Sequence, residues 1–478
     1  MENNFWTASR RFWSTIRRLR VGKRCSINTV YGEDGALLTS AQDVVSRWKE
    51  YFEDLLNPTD MPSNEEAESG DLGVDSPISG AEVVEVVKKL LGGRAPGVDE
   101  IRPEFLKALD VAGLSWLTHI CSIAWTSGAV PLDWQNGVVV PIFKKGDRRV
   151  CSTCRGITLL SLPGKVYLGV LERKVCRIVE PRIQEEQCGF RPGRGTVDQL
   201  YTLGRVLEGA WEFAQPVYMC FVDLEKAFDR VPRGVLWGVL REYVVPRCLI
   251  RAVRSLYNRC QSLVRIAGSK SDSFLVRVGL RQGCPLSPIL FITFMDRIYR
   301  RSQGVEGVQF GDLRIRSLIF ADDVVLLASS DRDLRLSLEQ FAVECEAAEM
   351  KISTSKSETM VLSRKRVACS LRVGEEVLPQ MGKFKYLGVF FTSEGRMEWE
   401  IDRRIGAASA MMQALHRSVM VKKELSQKAK LSIYRSIYVS TLTYGHELWV
   451  VTERMRSRVQ AAEMSFLHGW LGSPLEIG

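Results

Sequence analysis

Histidine is nearly missing. The 478 residues include only His119, His416, His446 and His468, and no two of them stand at ligand spacing. Histidine-based metal chemistry is thereby set aside, because such sites need several imidazoles converging on one ion. Cysteine is sparse as well. Twelve thiols in a chain this long do not make a disulfide scaffold, and a reducing compartment is expected. Cys151 and Cys154 form a CxxC with no second pair and no neighbouring histidine, which leaves zinc short of its four ligands. No stretch approaches 18 uncharged apolar residues, so no membrane-spanning helix and no membrane partner is expected. Arg10, Arg11, Arg17, Arg18 and Arg20 break up any apolar leader segment. The expected location is intracellular, nucleus or cytoplasm. Walker loops and GxGxxG turns are absent too.

What remains is an ordinary globular composition: 45% hydrophobic, 26% charged and 9% aromatic residues. The length corresponds to about three domains or one multi-lobed enzyme. Basic residues outnumber acidic ones, 66 to 56, for a net charge of +10. That balance suits a polyanionic partner, since Lys and Arg release counterions from phosphate backbones. A merely solvated basic surface fits it equally. Residues 1–24 carry seven basic residues and one acid, interleaved with Trp6, Trp13 and Ile16 at near-helical spacing. They read as a docked basic helix, as an arm on nucleic acid, or as both.

Along the chain, Val44, Trp48, Phe52 and Leu55 mark a helix over 41–56. Residues 57–80 hold six acids, no Lys or Arg and three prolines, the composition of a linker. Ser79 and Glu82 form an S-x-x-E capping box opening a helix with Val83, Val86, Val87 and Leu90 on one face. Val138–Phe143 and Ile157–Leu160 read as strands around a basic turn, and 164–180 as a helix. Strands and helices mix without strict βαβ alternation, which indicates an α+β architecture.

Three segments carry chemistry. Val217–Val222 is an apolar β run ending in Asp223, which reads either as a metal ligand at a sheet rim or as a helix N-cap. Ser317–Ala328 places Asp322 and Asp323 between two apolar β runs, the pattern of a tight hairpin with both acids at its tip. Adjacent carboxylates repel, and a divalent cation relieves that repulsion; Mg²⁺ favours a few carboxylates plus substrate phosphates. Gly279–Pro288 opens an apolar helix, and its Gly283 and Pro285 suit close backbone approach to a flat ligand. Arg281 and Gln282 there are placed to meet phosphate, sugar or base. Together these features point to two-metal nucleotidyl transfer.

The same segments carry a resemblance. FVDLEKAFDRVP, GLRQGCPLSPILF and FADD resemble motifs A, B and C of reverse transcriptases, and KYLGV at 385–389 their primer grip. RAPGVDEIRPEFLK, IFKKGDRR, RGITLL, QCGFRPGRGTVDQL and YGHELWV match the wording found in LINE-type non-LTR retrotransposons. The resemblance covers most of 90–465. It implies a right-hand polymerase whose palm is a small, mostly antiparallel sheet packed on helices. The organisation it implies is a basic, aromatic helical extension over 1–56, an acidic linker over 57–80, fingers and palm over 81–393, and a helical partial thumb over 394–478.

Carried over residue by residue, Asp223, Asp322 and Asp323 are the catalytic carboxylates and hold two Mg²⁺ ions, with Mn²⁺ as a substitute. Phe228 is the ring that excludes a ribose 2′-OH. Lys144, with Lys145 as its alternative, and Arg155 hold the incoming triphosphate. Gln282 and Gly283 border nucleotide and template. Lys356, with Lys351 as its alternative, protonates pyrophosphate. The implied partners are an RNA template, a DNA primer and dNTPs. Thr153-Cys154 stands where relatives carry an aromatic residue, so packing behind that strand is expected to be weakened. Met350-Lys351 replaces a glycine-containing turn. The short thumb, with no endonuclease or zinc-knuckle region, suggests a fragment of a mobile element. The alternative function is therefore a catalytically silent nucleic-acid-binding remnant; a third, RNA-templated RNA synthesis, is disfavoured by Phe228.

Overall fold

A computed structural model describes residues 29–58, 77–365, 367–395, 397–415, 426–450 and 452–471. The basic run over 1–24 and most of the acidic stretch over 57–80 lie outside the described residues.

Helix α1 (Ala41–Leu56) buries Val44, Val45, Trp48 and Phe52, the stripe its periodicity predicts. Helix α2 (Gly80–Lys89) begins at a complete capping box. Glu82 N donates to Ser79 Oγ at 3.3 Å, and Ser79 N donates to the Glu82 carboxylate at 2.9 Å. Strands β1 (Gly137–Phe143) and β2 (Cys154–Leu160) pair antiparallel, with Ile142 opposite Arg155. β2 starts earlier than its apolar residues suggest, because β1 pairs with it back to Cys154. Helices α3 (Leu162–Val179) and α4 (Thr196–Glu212) follow, then β3 (Val217–Val222) and β4 (Gln261–Ile266). β4 joins β1 in parallel, so β2, β1 and β4 form one mixed sheet.

After helix α5 (Ser287–Arg301) come strands β5 (Ser317–Phe320) and β6 (Asp323–Ala328), helix α6 (Asp331–Ala347) and strand β7 (Glu358–Leu362). β8 (Lys383–Tyr386) and β9 (Val389–Thr392) make a separate hairpin, and helix α7 (Glu398–Leu415) follows it. The second sheet runs β5-β6-β3-β7, every neighbouring pair antiparallel.

That sheet is buried on both faces. Val217, Met219 and Phe221 of β3, with Val325 and Leu327 of β6, pack towards α4 and the β8–β9 hairpin. Cys220 and Val222, with Val324, Leu326 and Ala328, face the larger core that holds α5 and α6. This is why both strands read as unbroken apolar runs rather than as alternation. α1 belongs to the same larger core, through Trp48 and Phe52. It is built into the body of the molecule rather than appended to it.

One expectation about departures needs correcting. Phe52 supplies an aromatic ring behind β2: a Cβ on Gly156 would fall 2.7 Å from it, so packing there is kept by α1. The turn before Lys351 also survives without glycine, because Glu349 takes a left-handed φ of 58°.

Candidate active site

β3 and β6 run side by side and end at one rim. The pair Val222–Val324 puts Asp223, one residue further on, level with Asp323. Phe320 pairs with Asp323, so Ala321 and Asp322 form a two-residue turn between β5 and β6. With neighbouring strands about 4.8 Å apart, the three carboxylates share one end of the sheet.

The turn is held from outside. Ala321 has φ 59°, a region that favours glycine. Gln187, fully buried, accepts from Ala321 N at 2.9 Å and Gly189 N at 2.7 Å through the same side-chain oxygen. Ile319 N donates to Glu186 O at 3.0 Å and Cys188 N to Ile319 O at 2.9 Å, so residues 186–188 run along β5 like an added strand. A Cβ on Gly189 would lie 2.3 Å from Ala321 N, which requires glycine there. Nothing in the local sequence pattern marks these roles, although QCGF is the segment that performs them.

Asp223 is anchored by the segment before β7. Its N–H donates to Ser357 Oγ at 3.1 Å, and its carbonyl accepts from Ser353 N at 2.8 Å. Lys356 Nζ lies 3.1 Å from Asp223 Oδ2. Lys351 uses its carbonyl on Glu225 N and leaves its side chain exposed, so Lys356 is the lysine at the carboxylates. The N-cap reading of Asp223 fails, since the short helix after it, Ala227–Arg230, is capped at Lys226.

Burial raises the Asp322 pKa above the usual carboxylate value. Asp223 raises it further, while Arg155 and Lys144 oppose the rise. Burial, then Asp322, then Asp223 push Asp323 up to about 6, against Lys144. Both turn lysines are exposed, and Lys144 is the one whose charge acts on Asp322 and Asp323. Tyr386, buried beneath, is pushed well above its ordinary value by burial and by Asp323.

β2 carries Arg155 into a cleft of about 990 Å³ that it shares with Phe190, Phe228, Gln282, Asp322 and Leu387. Phe228 stacks on Phe291 at 4.1 Å and meets Phe190 edge-on at 6.1 Å. Gln282 Nε2 donates to Asp229 Oδ1 at 2.8 Å. The close approach that Gly283 permits is to β2, not to a flat ligand alone: its φ is 114°, and a Cβ would fall 2.7 Å from Thr158 O. Arg281 is held by the protein itself at the edge of the cleft. It is buried, donates to Trp134 O at 2.9 Å and lies over the Tyr257 ring.

Among the described residues, no three His, Cys, Asp or Glu side chains close on a single metal position. The donor set still fits Mg²⁺, which is held by one or two carboxylates and completed by substrate phosphates and water. The mutual repulsion of Asp223, Asp322 and Asp323 is the feature that a cation would relieve.

The sequence model of the family described as "Reverse transcriptase (RNA-dependent DNA polymerase)" matches residues 142–391. The chain belongs to the reverse transcriptase family. Its relatives include the transposon TX1 149 kDa protein of Xenopus laevis, 24% identical over 97% of this chain and 36% of that protein. The R2DM retrotransposable-element polyprotein of Drosophila melanogaster is 24% identical over 95% of this chain and 42% of its own length. The RNA-directed DNA polymerase of the mobile element jockey, also from Drosophila melanogaster, is 24% identical over 82% and 44%. The resemblance to LINE-type non-LTR elements therefore holds, and the chain spans less than half the length of these curated relatives. An apo telomerase structure from Candida tropicalis matches 59% of each chain at 15% identity, with a TM-score of 0.38. No described helix is long and apolar enough to cross a membrane.

Proposed function

We propose that this chain is an RNA-directed DNA polymerase that extends a DNA primer on an RNA template with dNTPs. The observation that carries the reading is the rim of the palm: Asp223, Asp322 and Asp323 gathered at adjacent strand ends, facing Arg155 and Lys144.

In this reading the primer 3′-OH attacks the α-phosphate of the dNTP and pyrophosphate leaves. Asp223, Asp322 and Asp323 are the residues that would hold two Mg²⁺ ions, or Mn²⁺ in their place. Bound there, the ions supply activation of the attacking hydroxyl and neutralisation of charge on the phosphates. Arg155 and Lys144 hold the triphosphate by charge. Lys356, already paired with Asp223, gives its proton to the departing pyrophosphate. Gln282 and Gly283 border the nascent base pair, with Gln282 steadied by Asp229. Phe228, packed on Phe291 and open to the cleft, blocks a 2′-OH. The organisation we propose keeps fingers and palm over 81–393 and a partial thumb from 394, with α1 counted with the fingers.

The test is primer extension by the purified chain on RNA and DNA templates with Mg²⁺. Extension on RNA is expected. Salt-sensitive RNA binding without any extension would replace the polymerase by a silent binding remnant.

A further inference from the structure

The β8–β9 hairpin turns at Leu387–Gly388, and Leu387 lines the same cleft as Asp322 and Asp323. Both turn residues sit in the left-handed region, with φ 43° and 90°. Both of their carbonyls are taken by side chains from later in the chain. Tyr444 Oη donates to Leu387 O at 2.7 Å, and Arg404 donates to Gly388 O at 2.5 Å, with Arg403 adding a 3.3 Å bond.

Behind them stands Glu400, 1% exposed. Its carboxylate accepts from Arg404 at 2.7 Å, from Arg403 at 2.6 Å and from Phe390 N at 3.2 Å. The Arg404 guanidinium lies 4.8 Å over the Tyr444 ring, and a Cβ on Gly388 would fall 3.3 Å from that ring. One buried acid thus braces two arginines and the first residues of β9, and the bracket closes on a single turn.

A buried ion-pair cluster is a poor way to gain stability, since apolar residues of similar volume often do as well. What the bracket does provide is one backbone geometry at a turn whose leucine faces the reaction cleft. We propose that Glu400, Arg404 and Tyr444 are positioning residues for the primer terminus, acting through the Leu387–Gly388 turn. The inference rests on the polymerase reading above and deepens it. Helix α7 is then the rear support of the turn that meets the primer strand.

The experiment compares the full chain with Tyr444→Phe and Arg404→Lys. Fluorescence anisotropy measures binding to a DNA primer recessed on an RNA template and to a blunt duplex of the same strands, and extension assays give KM for primer–template and for dNTP. Losing one hydrogen bond should raise the Kd and KM for the recessed terminus about three- to tenfold. Blunt-duplex affinity, dNTP KM and melting temperature should stay unchanged for Tyr444→Phe. Arg404→Lys keeps the charge beside Glu400 but loses the fork to Gly388, and should show the same selective loss. Equal weakening on blunt and recessed duplexes, no weakening, or a rise confined to dNTP KM would overturn the proposal. If Arg404→Lys fails to fold, Tyr444→Phe alone decides. A parent chain that neither extends primers nor prefers a recessed end refutes the polymerase reading itself; a parent that extends while both variants match it refutes only the bracket.

Discussion

Asp296 and Asp322 are both acids in apolar surroundings, yet they are treated in opposite ways. Asp296, on α5, has no exposure and accepts from Tyr243 Oη, from Gln184 N at 2.9 Å and from Arg300 Nε at 2.8 Å. Each of its partners comes from the protein, so the site is closed. Asp322 and Asp323 sit at a turn with their charge raised in cost by burial and by neighbouring acids, and with Arg155 and Lys144 opposing that cost only in part. A buried acid supplied with donors ties elements together. An acid left short of donors beside a cavity is prepared for something that arrives later.

The sharpest break of that contrast is Asp322→Asn. Mg²⁺-dependent extension should fall by at least about a thousandfold, while the melting temperature holds or rises because a repulsion is removed. A mutant extending primers as well as the parent would show that the carboxylates are misassigned. Asp296→Ala should do the reverse. It leaves Tyr243 Oη and Gln184 N without their acceptor, at about 1–3 kcal/mol of stability for each group left unsatisfied, read by denaturant unfolding; a loss below about 1 kcal/mol would mean the network is loose.

Phe228→Ala sharpens the comparison from the side of the substrate. The selectivity for dNTP over rNTP in kcat/KM should fall by about 10- to 100-fold. Unaltered sugar discrimination would confine Phe228 to packing against Phe291. The smallest effect is a pH trend. Asp323 has a folded-state value of about 6 against an ordinary 3.8, so between those values the folded chain holds more proton than the unfolded one. Stability of the metal-free protein should therefore rise as pH falls from 7 towards 4, and decline as pH climbs through 6. With the carboxylate open to the cleft, solvent limits the change to under about 1 kcal/mol. Thermal melts should show the slope in the parent and a flatter line in Asp323→Asn.

Much of this was legible in the sequence, for local reasons. The α1 stripe, the Ser79–Glu82 box and the apolar runs of β3 and β6 are set by neighbours a few residues away. The acids were legible because charge at the end of an apolar run is conspicuous. What stayed hidden depends on contacts between distant segments. Gln187 bonding to Ala321, Glu400 bracing β9 and Arg281 turning into the core leave no periodic trace. Arg281 in particular looked ligand-facing because a basic residue in a glycine-rich turn usually meets solvent, and only the carbonyl of Trp134 and the ring of Tyr257 explain its direction.

The two-sided burial of β3 and β6 has a further consequence. Because both strands are gripped above and below, the gap between Asp223 and Asp323 is a lattice constant of the pleated sheet. Side chains elsewhere are free to drift without altering that gauge. To keep the gauge, a descendant sequence has only to leave acids at two neighbouring strand tips.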